Sequence, residues 1–449
     1  MTEIKSFNVK TNDVLKGSVY LNNNKKNIDK DEYMISNMQH NLAYKYAFKK
    51  NRNVNLLDDF KKRFKKYREN WNIQPKTCIE KKLLGSDMIE EKIIPLCVDI
   101  EVASICDLAC PFCYREFIVT PDKIINEKLC IDLIDQAADM GVPSIKFNWR
   151  GEPLLNPKIY EYISYAKKKG ILETIINTNA TNLVETNSKK LINSGLDLMI
   201  YSFDGGTKKT YEKMRPGRFN KNTFEKVFEN IKNFKKIRTN LGSKFPFTKI
   251  QMILTKETIN EVNEFFNNFS DLVDNVTVNQ YTERGGDLKD LNEEEKKKYK
   301  EFLINNDLHE DTAYMRDIEG NIKFATGREP CKQPFQRLLV TYEGKVAMCC
   351  YDWGASHPVG YTDKKAFDNS ADYNEVLKNI KNNKKGFELL KEAKLSTEYN
   401  KPKKELNNLN KIWTGLEIDK VRSQHLNNRG DKVPICSKCT FKDVYKWKD

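Results

Sequence analysis

Three thiols stand close together in this chain: Cys106, Cys110 and Cys113, in the pattern C-x3-C-x2-C with Phe112 just ahead of the last. Soft thiolate sulfur suits iron, and spacings this short let one loop curl round a metal. Three thiolates on one loop can hold three irons of a cubane [4Fe–4S] cluster. The next thiol, Cys130, lies well beyond the loop in a segment patterned as a helix. A cluster with three protein ligands keeps one iron open to a substrate or cofactor, which is a catalytic arrangement rather than an electron wire. On their own, the same three Cys could also belong to a zinc site.

The elements that must position these thiols are legible in the pattern around them. The loop follows a strand, because Val98, Ile100 and Val102 alternate with Asp99, Glu101 and Ala103. Further strands are expected at Ser144–Asn148, Glu173–Asn177, Asp197–Phe203, Thr248–Leu254 and Val276–Gln280, after a first at Cys97–Ala103. Amphipathic helices lie between them, for example Glu127–Met140 and Pro157–Lys169. Strands alternating with helices predict βαβ units and a parallel sheet. Residues 1–92 read as a helical N-terminal extension, with helices near Lys30–Lys50 and Leu56–Trp71, and residues 287–330 as a charged, helix-prone connector. Past the connector, Arg337–Tyr342 and Lys345–Cys350 read as two strands joined at Glu343-Gly344, a β-hairpin. Cys331 precedes this hairpin, Cys349 ends it, and Cys436-Ser437-Lys438-Cys439 supplies a distant C-x2-C pair. Together they predict a four-thiolate site for zinc or for a second iron–sulfur cluster.

Composition narrows the class. A chain of 449 residues has room for two or three domains. No apolar run approaches a membrane span and MTEIKSFNVK is unlike a secretory h-region, so the expected location is the cytoplasm, with no membrane partner. Eleven cysteines, an odd count in a large chain, point to metal rather than disulfides. The net charge of +14 (77 basic minus 63 acidic residues) raises nucleic acid as a partner. However, the cations are mostly Lys, spread end to end and mixed with acids. The densest patch, Lys61–Glu69, reads as an exposed helix face, so a solvated surface is the preferred reading.

The order of these features resembles the radical S-adenosylmethionine (SAM) superfamily. After the second strand comes Trp149-Arg150-Gly151-Glu152-Pro153, similar to the family's GGEP motif with Arg150 in place of the first Gly. The third strand ends in Asn177-Thr178-Asn179-Ala180, like the family's TNG turn, and the fourth in Ser202-Phe203-Asp204-Gly205, like its S-x-DG. The resemblance covers roughly residues 95–285 and 330–445. It implies an α/β fold: a partial (β/α)6 TIM-like barrel over 93–286, with reactive residues at the C-terminal strand ends. A small β-hairpin and helix domain over 331–449 would bind an auxiliary cluster.

What the resemblance implies about chemistry is specific. One [4Fe–4S] cluster, on Cys106, Cys110 and Cys113, would chelate the amino and carboxylate groups of SAM and cleave it to a 5′-deoxyadenosyl radical that abstracts hydrogen. Gly151 and Glu152 would receive the SAM ammonium, and Asn179, Ser202 and Asp204 would place its ribose or methionine part. Arg215 would pair with its carboxylate, and Phe112 would touch adenine. The spacing C-x12-G-x4-C followed by C-x2-C resembles the SPASM extension, or its shorter form called Twitch. It implies one auxiliary [4Fe–4S] cluster on Cys331, Cys349, Cys436 and Cys439, buttressed by the helical segment Asn410–Asn427. Cys350 beside it is open to three readings: a core thiol, the ligand in place of Cys349, or a hydrogen donor to a substrate radical. Asp352, Trp353 and His357 could line the pocket, and Asp352 or His357 could be a base. Glu283 and Arg284, after the sixth strand, could bind a polar substrate or pair with each other. His40, His309 and His425 read as surface or structural.

The expected activity is hydrogen abstraction from a small polar substrate, possibly a sugar or sugar conjugate, ending in dehydrogenation or epimerisation. A flavodoxin- or ferredoxin-like reductant is the implied partner. Peptide maturation or RNA modification are the alternatives within the superfamily, and a zinc-stabilised, non-catalytic interaction protein is the alternative outside it.

Overall fold

The computed structural model describes residues 18–20, 29–44, 54–113, 115, 121–281, 291–305, 314–316, 321–352, 354–355, 357–367, 405–437, 439, 441 and 444–447. A short strand β1 (Ser18–Tyr20) precedes the six expected strands, which are β2 (Cys97–Ile100), β3 (Ser144–Lys146), β4 (Glu173–Thr178), β5 (Leu198–Ser202), β6 (Phe247–Leu254) and β7 (Asn275–Gln280). The six lie side by side in sequence order and all pair in parallel. Helices Glu127–Asp139, Ile159–Lys168, Glu185–Ser194, Phe224–Asn240 and Val262–Phe269 occupy the crossovers. This is the parallel α/β sheet that the alternating pattern predicted, consistent with the partial barrel that the resemblance implied.

Each strand carries two unlike faces. In β6 the side chains of Ile250, Met252 and Leu254 are fully buried in the core against the helices, while Lys249, Gln251 and Ile253 between them are only partly buried. Side chains alternate across a strand, so the second set lines the inner face. The helix-side core continues through Val98, Ile100, Ile145, Ile176, Val276 and Val278.

The sheet does not close on itself. It has ten strands in the order β1-β7-β6-β5-β4-β3-β2-β10-β11-β12, where β10 is Arg337–Val340, β11 Lys345–Ala347 and β12 Pro358–Tyr361. The expected hairpin is β10–β11, turned at Gly344, whose φ of +96° suits glycine. It lies parallel to β2, with Arg337 opposite Cys97 and Val340 opposite Ile100, and so extends the core sheet.

Two segments depart from the sequence reading. The N-terminal extension is not purely helical, because β1 pairs antiparallel with β7 at the edge of the sheet. Its long helix, Val54–Lys81, also continues past Trp71 through Pro75. Proline disfavours a helix interior, but the far end is held by packing: Cys78 is fully buried, and Gln74 Nε2 donates to the carbonyls of Ile94 (2.9 Å) and Phe335 (3.1 Å). The extension caps the N-terminal end of the barrel, where Lys30 and Tyr67 bind the buried carboxylate of Glu173 at 2.9 and 2.8 Å. In the connector, helix Glu293–Asn305 is as expected, but β8 (Tyr314–Arg316) and β9 (Ile322–Arg328) follow it and form a three-stranded sheet with β13 (Tyr445–Trp447). β8 pairs with its neighbour β9, but β9 is flanked on its other side by β13, more than 100 residues away, which no local signature announces.

Candidate iron–sulfur and SAM site

The loop after β2 is fixed by backbone bonds to a distant turn. Ala109 N donates to Pro216 O at 2.9 Å and Arg218 N to Asp107 O at 2.8 Å. Cys110 is buried, Cys106 and Cys113 are half-buried, and none is in a disulfide. Burial pushes the Cys106 thiol up to about 12 and that of Cys110 higher still, and the charge of Cys113 adds to both. Thiols so desolvated and so close to one another ionise readily only when a metal takes up their charge. Among the described residues no three Cys, His, Asp or Glu converge as they would round one ion. A cubane's thiolates each take a different iron and stand further apart, so the three-thiol loop fits the cluster.

The loop after β3 packs directly on the Cys loop. A Cβ on Gly151 would lie 2.4 Å from the carbonyl oxygens of both Ala103 and Ile105, so only glycine fits. The next amide, Glu152 N, donates to Ile105 O at 2.9 Å. The Glu152 carboxylate is buried and accepts hydrogen bonds from Thr178 Oγ1 (2.7 Å), Asn179 N (2.8 Å) and Leu154 N (3.1 Å). Burial, and then the charge of Asp107, raise it to about 7. A desolvated carboxylate held so near the thiols suits an ammonium group, whose charge would compensate it.

Two groups of predicted residues assemble around this point. Asn179 Nδ2 donates to Asp107 Oδ1 at 2.7 Å and sits 3.9 Å from Cys106 Sγ, which joins the end of β4 to the Cys loop. On the other side Asp204 Oδ2 accepts from Arg215 Nε at 2.8 Å, and Asp204 Oδ1 from Ile253 N at 2.7 Å. The Arg215 guanidinium lies 5.7 Å from the Phe112 ring centroid and acts electrostatically on Cys110. Arg215, expected to meet a SAM carboxylate, here meets Asp204. Ser202, half-buried, ends β5 on the inner face opposite Gln251.

The four C-terminal thiols act on one another electrostatically. Cys331 precedes β10, Cys349 follows β11, and Cys436 sits in the short helix Pro434–Ser437. Burial pushes Cys349 and Cys436 well up, and the charges of Cys350, then Cys436, Cys439 and Cys331, add to this at Cys349. Four free thiols within electrostatic reach fit a four-thiolate cluster. Cys350 turns elsewhere. Its Sγ lies 3.9 Å from Arg337 Nη1, which pairs at 3.0 Å with Asp99 on the inner face of β2, and its carbonyl accepts from Trp149 Nε1 at 3.0 Å. Asp352 is fully buried, acts on Cys436 and accepts from His357 N at 2.9 Å. Burial lowers the His357 imidazole, and Asp352 opposes that.

Sequence reasoning missed three contributors. Arg150, the residue that departs from the family motif, makes a buried bidentate pair with Glu101 at 2.6 and 2.7 Å and stacks 4.4 Å over Trp149. Glu101 in turn accepts from Tyr342 N at 3.2 Å, so one pair ties the Cys-loop strand, the Glu152 loop and the hairpin together. Asp107 shapes the site from inside the Cys motif. His425, read as surface or structural, is buried beside Cys331: its Nδ1 accepts from Cys331 N at 3.3 Å, and burial lowers it to about 4. Only the alternation placing Glu101 inward signalled any of these. Glu283, Arg284, His309 and Trp353 lie outside the described residues.

Residues 100–269 match the family model of the radical SAM superfamily, so the chain carries a radical SAM domain, and with it a [4Fe–4S] cluster and SAM as its cofactors. Among curated proteins it is similar to the tungsten-containing aldehyde ferredoxin oxidoreductase cofactor-modifying protein of Pyrococcus furiosus, 26% identical over 37% of this chain and 45% of that one. It is also similar to the GTP 3′,8-cyclase of Chlorobaculum tepidum, 35% identical over 24% of this chain and 32% of the other. The chain spans less than half the length of either relative. Among solved structures it overlaps BtrN in complex with AdoMet and 2-DOIA, with 15% identity, 78% of this chain and 95% of that chain covered, and a TM-score of 0.43. No described helix is long and apolar enough to cross a membrane.

Proposed function

We propose that this chain is a radical SAM enzyme that abstracts hydrogen from a small polar, carbohydrate-like substrate and carries an auxiliary cluster on Cys331, Cys349, Cys436 and Cys439. The observation that carries the reading is the Glu152 carboxylate, buried between the three-thiol loop and the end of β4. Bound there, the cluster with its SAM supplies a 5′-deoxyadenosyl radical. Glu152 holds the SAM ammonium, with Thr178 and the Asn179 amide fixing its rotamer. Phe112 supplies an apolar surface beside the thiols, and Asp204 keeps Arg215 against that ring. Of the two thiols that end the hairpin, Cys349 faces the other three and serves as ligand.

Cys350, turned toward Arg337 and the inner face, favours epimerisation over dehydrogenation. Its S–H donates a hydrogen atom to the carbon radical left by abstraction, and a C–H bond forms as the S–H bond breaks. The thiyl radical left behind takes one electron from a flavodoxin- or ferredoxin-class reductant and one proton from solvent. Asp352 and His357, buried beside the thiols, orient the loop that carries Cys350.

Iron and sulfide content after anaerobic preparation tests the cofactor set. About eight irons per chain are expected in the parent, and about four after Cys106→Ala/Cys110→Ala/Cys113→Ala. No iron, with zinc in its place, would overturn the reading. For the final step, turnover in deuterated water should place one deuterium in the product, and Cys350→Ala should abolish that label while 5′-deoxyadenosine still forms.

A further inference from the structure

The inner face of this barrel is not packed as a core. Barrels of alternating strands and helices ordinarily fill with layers of branched apolar side chains. Here Lys146 on β3 stands in register with Asp99 on β2 and Ile175 on β4, and Lys249 on β6 with Ile200 on β5 and Asn275 on β7. Although three strands apart, the two side chains stand on the same inner face, near enough for the charge of Lys146 to act on Lys249. Burial first, then the charges of Lys30 and Lys146, lower Lys249 to about 8.

Three carboxylates among the described residues of this face are engaged. Asp99 is bound by Arg337, Glu101 by Arg150, and Glu173 by Lys30 with Tyr67. Lys146 makes no ion pair or hydrogen bond with any described residue. Three buried polar atoms on the same face also lack a hydrogen-bond partner: Asn177 Oδ1, Asn275 Oδ1 and Arg337 Nε. Buried polar groups are nearly always satisfied, so orphans gathered on one inner face call for a ligand. Their chemistry is complementary to one kind of molecule. Two amide oxygens accept from hydroxyl groups, while the cations and the Arg337 N–H favour a negative charge.

We propose that the barrel interior binds a polyhydroxylated substrate carrying an anionic group, a carboxylate or a phosphate, seated between Lys146 and Lys249 with its hydroxyls on Asn177 and Asn275. The level of Lys146 is that of Ile175, two residues below Asn177 and so about 6–7 Å deeper than the layer beside Glu152, at roughly 3.3 Å per strand residue. The charged end therefore points to the barrel floor, and the carbon to be attacked faces the SAM site. This deepens the proposed function and depends on it only for what happens to the substrate.

The test uses the anaerobically reconstituted, SAM-loaded full chain and three probes measured by titration calorimetry: D-glucuronate, D-glucose 6-phosphate and D-glucose. At least one charged sugar should bind tenfold or more tightly than glucose, and the tighter of the two identifies carboxylate or phosphate. Lys146→Met and Lys249→Met should each weaken it at least tenfold, and Lys146→Arg should restore most of the affinity, showing that charge rather than folding is lost. Equal binding of charged and neutral sugars, binding of none, or affinity unchanged in the Met variants would overturn the proposal. Dithionite-driven formation of 5′-deoxyadenosine separates the two claims. Its absence from the parent would sink the SAM reading while leaving the anion result standing.

Discussion

The Arg150–Glu101 pair offers the sharpest test of how this site is held. Its two hydrogen bonds are 2.6 and 2.7 Å long, and its side chains are 5% and 0% exposed. Replacing a buried ion pair with apolar groups of similar shape is often neutral. Removing one partner leaves a buried charge uncompensated and costs about 3–5 kcal/mol. Glu101→Gln keeps the shape, yet turns an amide NH2 toward the guanidinium or gives up the bond from Tyr342 N. We therefore expect Glu101→Gln to cost about 3–5 kcal/mol, and Glu101→Leu/Arg150→Met to recover most of that loss. Urea unfolding of the metal-free protein, followed by tryptophan fluorescence, reads the difference as a shift in midpoint at constant slope. A loss below about 1 kcal/mol in Glu101→Gln would refute the reasoning, because it would mean that water reaches the pair.

Three further outcomes follow from the same geometry. Gly151→Ala should drive the Cys loop away from Ala103 and Ile105, so iron per chain should fall from about eight to about four while the C-terminal cluster stays. Cys349→Ser should lose the auxiliary irons and Cys350→Ser should keep them, with the reverse assigning the ligand to Cys350. Glu152, raised to about 7 in the folded chain, must be ionised to hold an ammonium, so SAM should bind about tenfold more weakly at pH 6 than at pH 8, and Glu152→Gln should flatten that profile. For folding the sign is opposite: the raised carboxyl favours the SAM-free fold fully below its unfolded value near 4.5, and that contribution is lost as the pH rises through about 7.

Much of the site was legible because its signals are local. C-x3-C-x2-C, the Arg150-Gly151-Glu152 turn and the strand ends at Asn179 and Asp204 each depend on residues close in the chain. The periodicity that separates a strand from a helix placed all six core strands to within a few residues of their observed ends. The hairpin could be read because a Gly with positive φ between two apolar runs is a short-range signal. Where the sequence reading failed, the missing information was a distant partner. Strand β9 is flanked by Tyr445–Trp447 from the far end of the chain, and the helix at Val54 runs through Pro75 because Ile94 and Phe335 hold it.

The sequence by itself therefore determined where the thiols cluster and the order of the strands that carry them. Thiolate spacing and hydrophobic period are properties of neighbours along the chain. Only the tertiary structure decided which charges meet. It placed Arg150 against Glu101, turned Cys350 toward Arg337, and set Lys146 and Lys249 on one inner face from strands about a hundred residues apart. Coulomb energy depends on separation in space and on burial, and neither is written in the spacing of residues along a chain.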